Sequence, residues 1–241
     1  MPEGDTLRRI ALQLQVLVGR PVAVETPHPR AAVKQIAQRL DGLVLESVDT
    51  AGKDLLLRFQ GGHVLRSHLR MSGRWRVGPA GTVRAGLPWL VLTGGDHEAV
   101  LWNGPILELD RPRRRAGAPD ILAADPDYDA MIAALRGRTI GDALLDQRLV
   151  AGIGNIWRSE ALWDARVSPW RDDADDDEIR AVLAAAHDGM TASVAGARRP
   201  RNVYRRAGRA CRRCGTPIRA AGLRTAYWCP ECQRGGTEPK A

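Results

Sequence analysis

The four cysteines constrain this chain more than any other feature. Cys211, Cys214, Cys229 and Cys232 form two C-x2-C pairs with fourteen residues between them. Each pair presents two thiolates from one turn, and two such turns facing each other complete a closed tetrahedral site suited to one structural zinc ion. The gap is slightly shorter than is usual for such sites. Two disulfides are the competing reading, against which a reducing compartment and two local C-x2-C pairs both argue. With no ligand position left open, the metal would not activate water but hold the hairpin "GTPIRAAGLRTAYW", which carries Arg219 and Arg224.

The first cysteine pair ends the arginine-rich stretch "RRPRNVYRRAGRACRRC", and the whole chain of 241 residues has a formal net charge of +8. Lys34, Lys53 and Lys240 are its only lysines, so arginine, whose planar fork suits phosphate, carries nearly all the basic charge. A basic chain of ordinary hydrophobic content reads as a nucleic-acid binder, although codon composition also favours arginine in some genomes. No apolar run approaches the roughly 18 residues of a membrane span, and "PEGDTLRR" is too charged for a secretory signal. We therefore expect an intracellular, cytoplasmic and nucleoid-associated protein without a membrane partner. Nothing in the sequence demands an oligomer, and a monomer is expected.

Three changes of hydrophobic pattern divide the chain. Leu7, Ile10, Ala11, Leu14 and Leu17 recur at helical spacing. From Pro21 to about Asp110 short alternating runs take over: "VAVET", "GLVLESV", "DLLLRFQ", "HVLRSHL", "GRWRV", "WLVLTGGDHEAVLW" and "ILELD", with "PRAAVKQIAQRL" as a second helix. Glycine pairs at 61–62 and 94–95 mark turns. Beyond the Pro/Gly/Arg stretch "DRPRRRAGAPD" the signals are helical, and Ile179, Val182, Leu183, Ala186 and Met190 form one face. The acidic run before that face needs no metal, because Asp175 to Glu178 fit a capped helix start. The expected fold class is α+β and multidomain. An N-terminal β-sandwich flanked by helices occupies 1–112, a linker 113–118, a helical domain 119–200 and a zinc-finger β-hairpin domain 201–241.

The start, "MPEGDT", raises a chemical question. A small second residue normally allows removal of the initiator methionine, which would leave the secondary amine of Pro2 as the first group of the chain. By themselves Glu3 and Asp5 in the first turn, with proline just before it, describe an ordinary helix start. That amine is nonetheless a potential nucleophile, since an α-amino group titrates at about 7.7 to 8.0 in model peptides and a helix N-terminus disfavours its protonated form.

Three separated stretches, "MPEGDT", "LLDQRLVAGIGNIWRSEAL" and "CRRCG…RTAYWCPECQ", together resemble the formamidopyrimidine-DNA glycosylase and endonuclease VIII family of base-excision enzymes. The resemblance runs in the same order over nearly the whole chain. It implies a helix-two-turns-helix arrangement for the central domain and damaged DNA, single-stranded or duplex, as the partner. It also implies that Pro2 attacks the anomeric carbon of a damaged nucleoside, that Glu3 is the essential acid/base, and that Lys53, in "AGKDLLL", is a catalytic lysine. By the same likeness His68 in "SHLRMSG" contacts a phosphate and Met71 enters the gap left by the extruded base. Asn155 in "GIGN" and Tyr204 in "NVYRR" contact phosphate, and Arg224 clamps DNA from the zinc hairpin. Read alone, Lys53 is a surface turn residue, Met71 a strand-end core residue and "GIGN" a turn.

The chain also departs from the family. "PEGDT" in place of "PELPE" leans toward the endonuclease VIII branch, which acts on oxidised pyrimidines, whereas "HLRMSG" is more like the purine branch. Thr6 replaces a second glutamate. In "LWNGPILELD" the purine branch commonly carries an arginine and a phenylalanine that complete the wedge, and here Trp102, Asn103 and Pro105 stand instead. This predicts a weak hold on the opposite strand and a preference for single-stranded or bubble DNA. Two other classes compete: a non-catalytic sensor of damaged or open DNA on the same scaffold, and a zinc-containing RNA-binding protein. The second leaves "MPEG" and Lys53 without a purpose.

Overall fold

The computed structural model describes residues 2–110 and 117–238. They group into two compact units, one of Pro2 with residues 6–110 and one of Glu3–Asp5 with residues 117–238. Most of the expected linker, 113–116, lies outside the described residues, as do Met1 and 239–241.

In the first unit, most of helix α1 (Gly4–Leu14) precedes the strands β1 (Ala23–Glu25), β2 (Leu45–Ala51), β3 (Asp54–Phe59), β4 (His63–His68), β5 (Arg74–Pro79), β6 (Leu90–Gly94), β7 (His97–Trp102) and β8 (Ile106–Leu109). They form two four-stranded antiparallel sheets, ordered β1-β6-β7-β5 and β2-β3-β4-β8. Alternation along each strand sends one set of side chains inward. Leu55, Leu57, Leu65 and Leu107 from one sheet and Val24, Leu92, Ala99 and Leu101 from the other share a single core with Leu7, Leu14 and Leu17.

"PRAAVKQIAQRL" is not one helix but two, α2 (Pro29–Ala32) and α3 (Ile36–Leu40), with Gln35 left-handed at φ 54° between them. Ala31 and Ile36 are both fully buried. Five residues apart on one continuous helix they would point about 140° away from each other, so the break lets both face the core. Lys34 donates from Nζ to the Leu107 carbonyl at 2.8 Å beside it.

The second unit contains helices α4 (Tyr128–Leu135), α5 (Ile140–Ala143), α6 (Asn155–Asp164) and α7 (Asp176–Val194), then the hairpin β9 (Arg219–Ala221) and β10 (Ala226–Trp228). α7 starts as expected, with Asp175 and Glu178 in a reciprocal capping box and the predicted apolar face buried. α6 is different, since every residue from Trp157 to Trp163 is buried. Arg158 and Glu160 lie in that run, and buried charges require buried partners. Among the described residues no helix is long and apolar enough to cross a membrane.

Candidate functional site

Within the second unit the Glu3 side chain is 1 % exposed. Its carboxylate accepts from the backbone N–H groups of Gly154 at 3.1 Å, Ile156 at 2.7 Å and Trp157 at 3.2 Å. These are the orphan donors at the start of α6, so a side chain from the opposite end of the sequence supplies the cap that local residues do not. Gly154 makes the approach possible, because a Cβ there would fall 2.3 Å from Glu3 Cδ. The Gly4 N–H donates to the Gly152 carbonyl at 3.0 Å, and Ser193 donates to Asp5 Oδ2 at 2.7 Å. Gln147 fixes the intervening turn by donating to the Ile153 carbonyl and accepting from the Gly152 N–H.

Arg158 ties α6 to the tip of the hairpin. Its Nη2 donates to the carbonyls of Arg224 at 2.7 Å and Thr225 at 2.9 Å and to Asn155 Oδ1. Asn155 in turn donates from Nδ2 to the Thr225 carbonyl at 3.0 Å. Burial brings the Arg158 guanidinium down to about 10, opposed by Asp142, reinforced by Arg224 and opposed again by Glu3. Arg224 donates to the Leu145 carbonyl at 3.5 Å. Glu160, 1 % exposed, accepts from the N–H groups of Asn202, Val203 and Tyr204 at 2.8, 3.1 and 2.9 Å. That anchor positions Tyr204, whose ring meets Tyr227 of β10 edge-on at 5.3 Å.

The four cysteine sulfurs lie within 4.8 Å of one another. Separations of 3.4 Å for Cys214–Cys229 and Cys214–Cys232 and 3.9 Å for Cys211–Cys232 are far from the ~2.05 Å of a disulfide. They match the S···S spacing of about 3.8 Å implied by a tetrahedral ion with Zn–S near 2.3 Å. Burial pushes the Cys211 thiol up, but donors from the Arg213 N–H and Trp163 Nε1 outweigh it and bring the thiol down to about 6. The Arg213 guanidinium stacks 3.6 Å above the same Trp163 ring. One tetrahedral zinc ion fits this donor set.

In the first unit Pro2, half-buried, lines a cavity of about 560 Å³ with Thr6, Arg9, Gln13, Gly73 and Arg74. Gly52, at φ 60°, and Lys53 are the central pair of the β2–β3 hairpin, and Lys53 is half-buried. Asp54 beside it pairs with Arg66 at 3.0 Å, and Arg66 also donates to Glu108 at 2.8 Å. His68 accepts at Nδ1 from the Arg70 N–H, which leaves Nε2 to carry the proton of the neutral ring. Burial lowers His68 from its usual 6.5; Asp54 opposes this, and Arg66, Arg70 and Lys53 add to it. Met71 is 69 % exposed at the tip of a turn closed by the Gly73 N–H on the Leu69 carbonyl at 2.8 Å. A Cβ on Gly73 would fall 2.8 Å from the Asn103 carbonyl, which sets the β7–β8 loop beside this turn. Trp102 is turned into a small apolar cluster with Val91 and Val100 and donates from Nε1 to the Ala85 carbonyl at 2.7 Å, while Asn103 is exposed at φ 49°.

Reading the sequence did not single out Gln147, Arg158, Glu160 or the Asp54–Arg66 pair. The only local signal was a charged pair inside "IWRSEALW", where tryptophans flank it on both sides.

The sequence matches the family model described as the formamidopyrimidine-DNA glycosylase N-terminal domain over residues 1–104, and the one described as the formamidopyrimidine-DNA glycosylase H2TH domain over 118–201. It is 35 % identical over 269 aligned positions to the probable endonuclease 8 2 of Streptomyces coelicolor, covering 98 % of this chain and 95 % of that one. It is 33 % identical over 265 positions to the DNA-(apurinic or apyrimidinic site) lyase Nei2 of Mycolicibacterium smegmatis, covering 97 % and 99 %. Among solved structures, the formamido-pyrimidine DNA glycosylase of Lactococcus lactis, bound non-covalently to DNA containing an AP site, superposes with a TM-score of 0.84 at 24 % identity over 97 % of this chain and 100 % of that one. That likeness establishes the fold.

Proposed function

From the family to which this chain belongs, that of formamidopyrimidine-DNA glycosylase and endonuclease VIII and closer to the endonuclease VIII branch, we propose that the protein is a DNA glycosylase and abasic-site lyase of base excision repair. The observation that carries the reading is local. Glu3 is held by three N–H donors at the head of α6, while Pro2, one residue earlier and outside helix α1, stands at the edge of a cavity.

Once Met1 is removed, the Pro2 nitrogen attacks C1′ of a damaged nucleoside. The glycosidic bond breaks and its electron pair leaves with the base, which takes a proton. The nitrogen gives up its own proton, and its lone pair forms a cationic iminium as the C1′–O4′ bond breaks, its electron pair going to O4′, which is protonated. That electron sink makes the C2′ proton acidic; its removal expels the 3′ phosphate, and a further elimination expels the 5′ phosphate. Glu3 moves protons on the sugar, help of a kind that typically contributes ~10²- to 10⁴-fold. Lys53 assists as a cation, and His68 donates a hydrogen bond from Nε2–H to a phosphate oxygen. Met71 enters the gap left by the extruded nucleotide, a step costing a few kcal/mol. Asn155, Tyr204 and Arg224 take phosphates. For Asn155 this means giving up or sharing the contacts it makes with Thr225 and Arg158.

Cys211, Cys214, Cys229 and Cys232 hold one structural zinc ion, which supplies a rigid base for the hairpin and takes no part in bond making. The working division is a catalytic domain at 1–112, a linker at 113–118, a helix-two-turns-helix domain at 119–200 and a zinc-finger domain at 201–241. The substrates are oxidised bases in DNA, pyrimidines favoured, and the protein works as an intracellular monomer. The inward-turned Trp102 supports the second part of the reading, a preference for single-stranded or bubble DNA. Base release and strand cleavage measured on one oxidised-pyrimidine oligonucleotide in single-stranded, bubble and duplex form test both parts. Activity that disappears in Pro2→Gly and Glu3→Gln, and is greatest on the open substrates, is expected. A clear duplex preference overturns the second part. Binding without cleavage in the wild type replaces the first part with a non-catalytic sensor of damaged or open DNA.

A further inference from the structure

Arg74 and Trp102 form a pair that the reaction above does not use. They stand opposite each other on β5 and β7, and the Arg74 guanidinium lies over the Trp102 ring, 4.8 Å from its centre. The ring beneath is fixed. It packs with Val91, Val100 and Val83 apart from the main core, and it donates from Nε1 to the Ala85 carbonyl at 2.7 Å. Val83 and Ala85 belong to the β5–β6 connection, which is latched in turn by a buried carboxylate. Glu98, 0 % exposed, accepts from the Val83 N–H at 2.8 Å and pairs with Arg84 at 2.9 Å, while Arg84 also pairs with Glu25 at 2.7 Å. A guanidinium is flat, and both of its faces can stack on aromatic rings. Arg74 has one face on the indole and its side chain is exposed, so the other face is presented to a second ring. It is also placed for DNA, because Arg74 lies three residues after the exposed Met71 and lines the cavity at Pro2 together with Leu69 and Trp75.

We propose that Arg74, backed by Trp102, is a stacking seat for an unpaired nucleobase next to the nucleotide that Pro2 attacks, on the same strand. The inference deepens the reading of the protein as an enzyme of open DNA and rests on it. In a duplex each base has its faces covered by its neighbours and its edge by its partner, whereas an unpaired base can leave the stack and lay one face on a planar cation. The seat is therefore sequence-tolerant and works only where the strand is open. A lysine at this position would keep the charge and lose the plane.

The test is binding to single-stranded oligonucleotides carrying tetrahydrofuran, an abasic analogue that Pro2 cannot open, with the base on its 5′ or its 3′ side replaced in turn by a second abasic spacer. Wild type, Arg74→Ala and Arg74→Lys are compared by fluorescence anisotropy, and because the side chain is exposed all three should melt alike. Removing the base on one side is expected to weaken wild-type binding roughly 5-fold or more and to have little further effect in either variant. Arg74→Lys should bind the unmodified single strand nearly as weakly as Arg74→Ala, yet match wild type when the same strand is paired with its complement. If Arg74→Lys binds the single strand like wild type, or if the spacers affect all three proteins equally on both sides, the seat does not exist. If wild type binds these strands but forms no borohydride-trapped adduct on abasic DNA, it is the nucleophile reading that fails, and the two failures are distinguishable.

Discussion

Gly154→Ala offers a sharp test of how Glu3 is held. The backbone at Gly154 has φ −119°, which alanine adopts without strain, so the whole effect comes from the added methyl group. Its Cβ would lie 2.3 Å from Glu3 Cδ, 2.5 Å from Oε1 and 2.6 Å from Cγ, and the carboxylate must move. Three hydrogen bonds depend on its place, and bonds to a charged group contribute about 1.5–3 kcal/mol each. Some recover as the carboxylate shifts or water enters, so a loss of about 3 kcal/mol is expected, equivalent to a melting temperature lowered by roughly 6–12 °C. A displacement of ~1 Å at an acid/base group lowers the rate on the order of 10²-fold. Thermal unfolding and the rate of borohydride trapping at saturating abasic DNA measure the two effects. Gly117→Ala, where no atom of the described residues lies within 4 Å of the new methyl group, is the control and should stay within about 0.5 kcal/mol. In a Glu3→Ala background most of the penalty of Gly154→Ala should vanish. An unchanged Gly154→Ala protein, or an equal loss with and without Glu3, would mean that the Glu3 carboxylate is not held against Gly154.

Other outcomes follow from the same geometry. Glu160→Ala should strip three N–H groups of their acceptor, destabilise the protein by about 2–4 kcal/mol and weaken DNA binding through Tyr204, whereas Tyr204→Phe should affect binding alone; calorimetry and titration separate the two. Stripping zinc with a chelator should lower the melting temperature and abolish DNA affinity, with both restored by one equivalent of zinc; full affinity in metal-free protein contradicts the role given to the hairpin. His68 should titrate below 6.5 by NMR, because its lowered value in the folded state means that the unfolded chain binds more protons just below pH 6.5. Its contribution to stability is therefore complete above pH 6.5 and is lost as pH falls through the folded value, and His68→Gln should flatten that part of the stability profile.

Much of the site was legible because its signals are local. A proline at position 2, paired C-x2-C turns and a glycine-broken "AGIGN" are each visible over a few residues and mark the candidate site. The alternating runs fall on the observed strands for the same reason, since a sheet with one buried face writes its period into the sequence. What holds the site together is not local. Glu3 meets its partners 151 to 154 residues away, and Glu160 meets its own 42 to 44 residues away. Arg158 and Glu160 sit on a helix buried on all sides, where no apolar stripe distinguishes an inward charge from a solvated one. The break at Gln35 was equally hidden, because "AAVKQIAQRL" is acceptable to one helix and only the shared burial of Ala31 and Ile36 forbids it.

The proposed reaction requires the Pro2 nitrogen to bond to the sugar. It is tested most directly by borohydride reduction of the protein on a single-stranded abasic-site oligonucleotide, followed by proteolysis and mass spectrometry of the cross-linked peptide. One adduct per chain is expected, on a Met1-free N-terminal peptide at Pro2, absent in Pro2→Gly. An adduct on Lys53 or another amine, or none in protein whose Met1 has been removed, contradicts it.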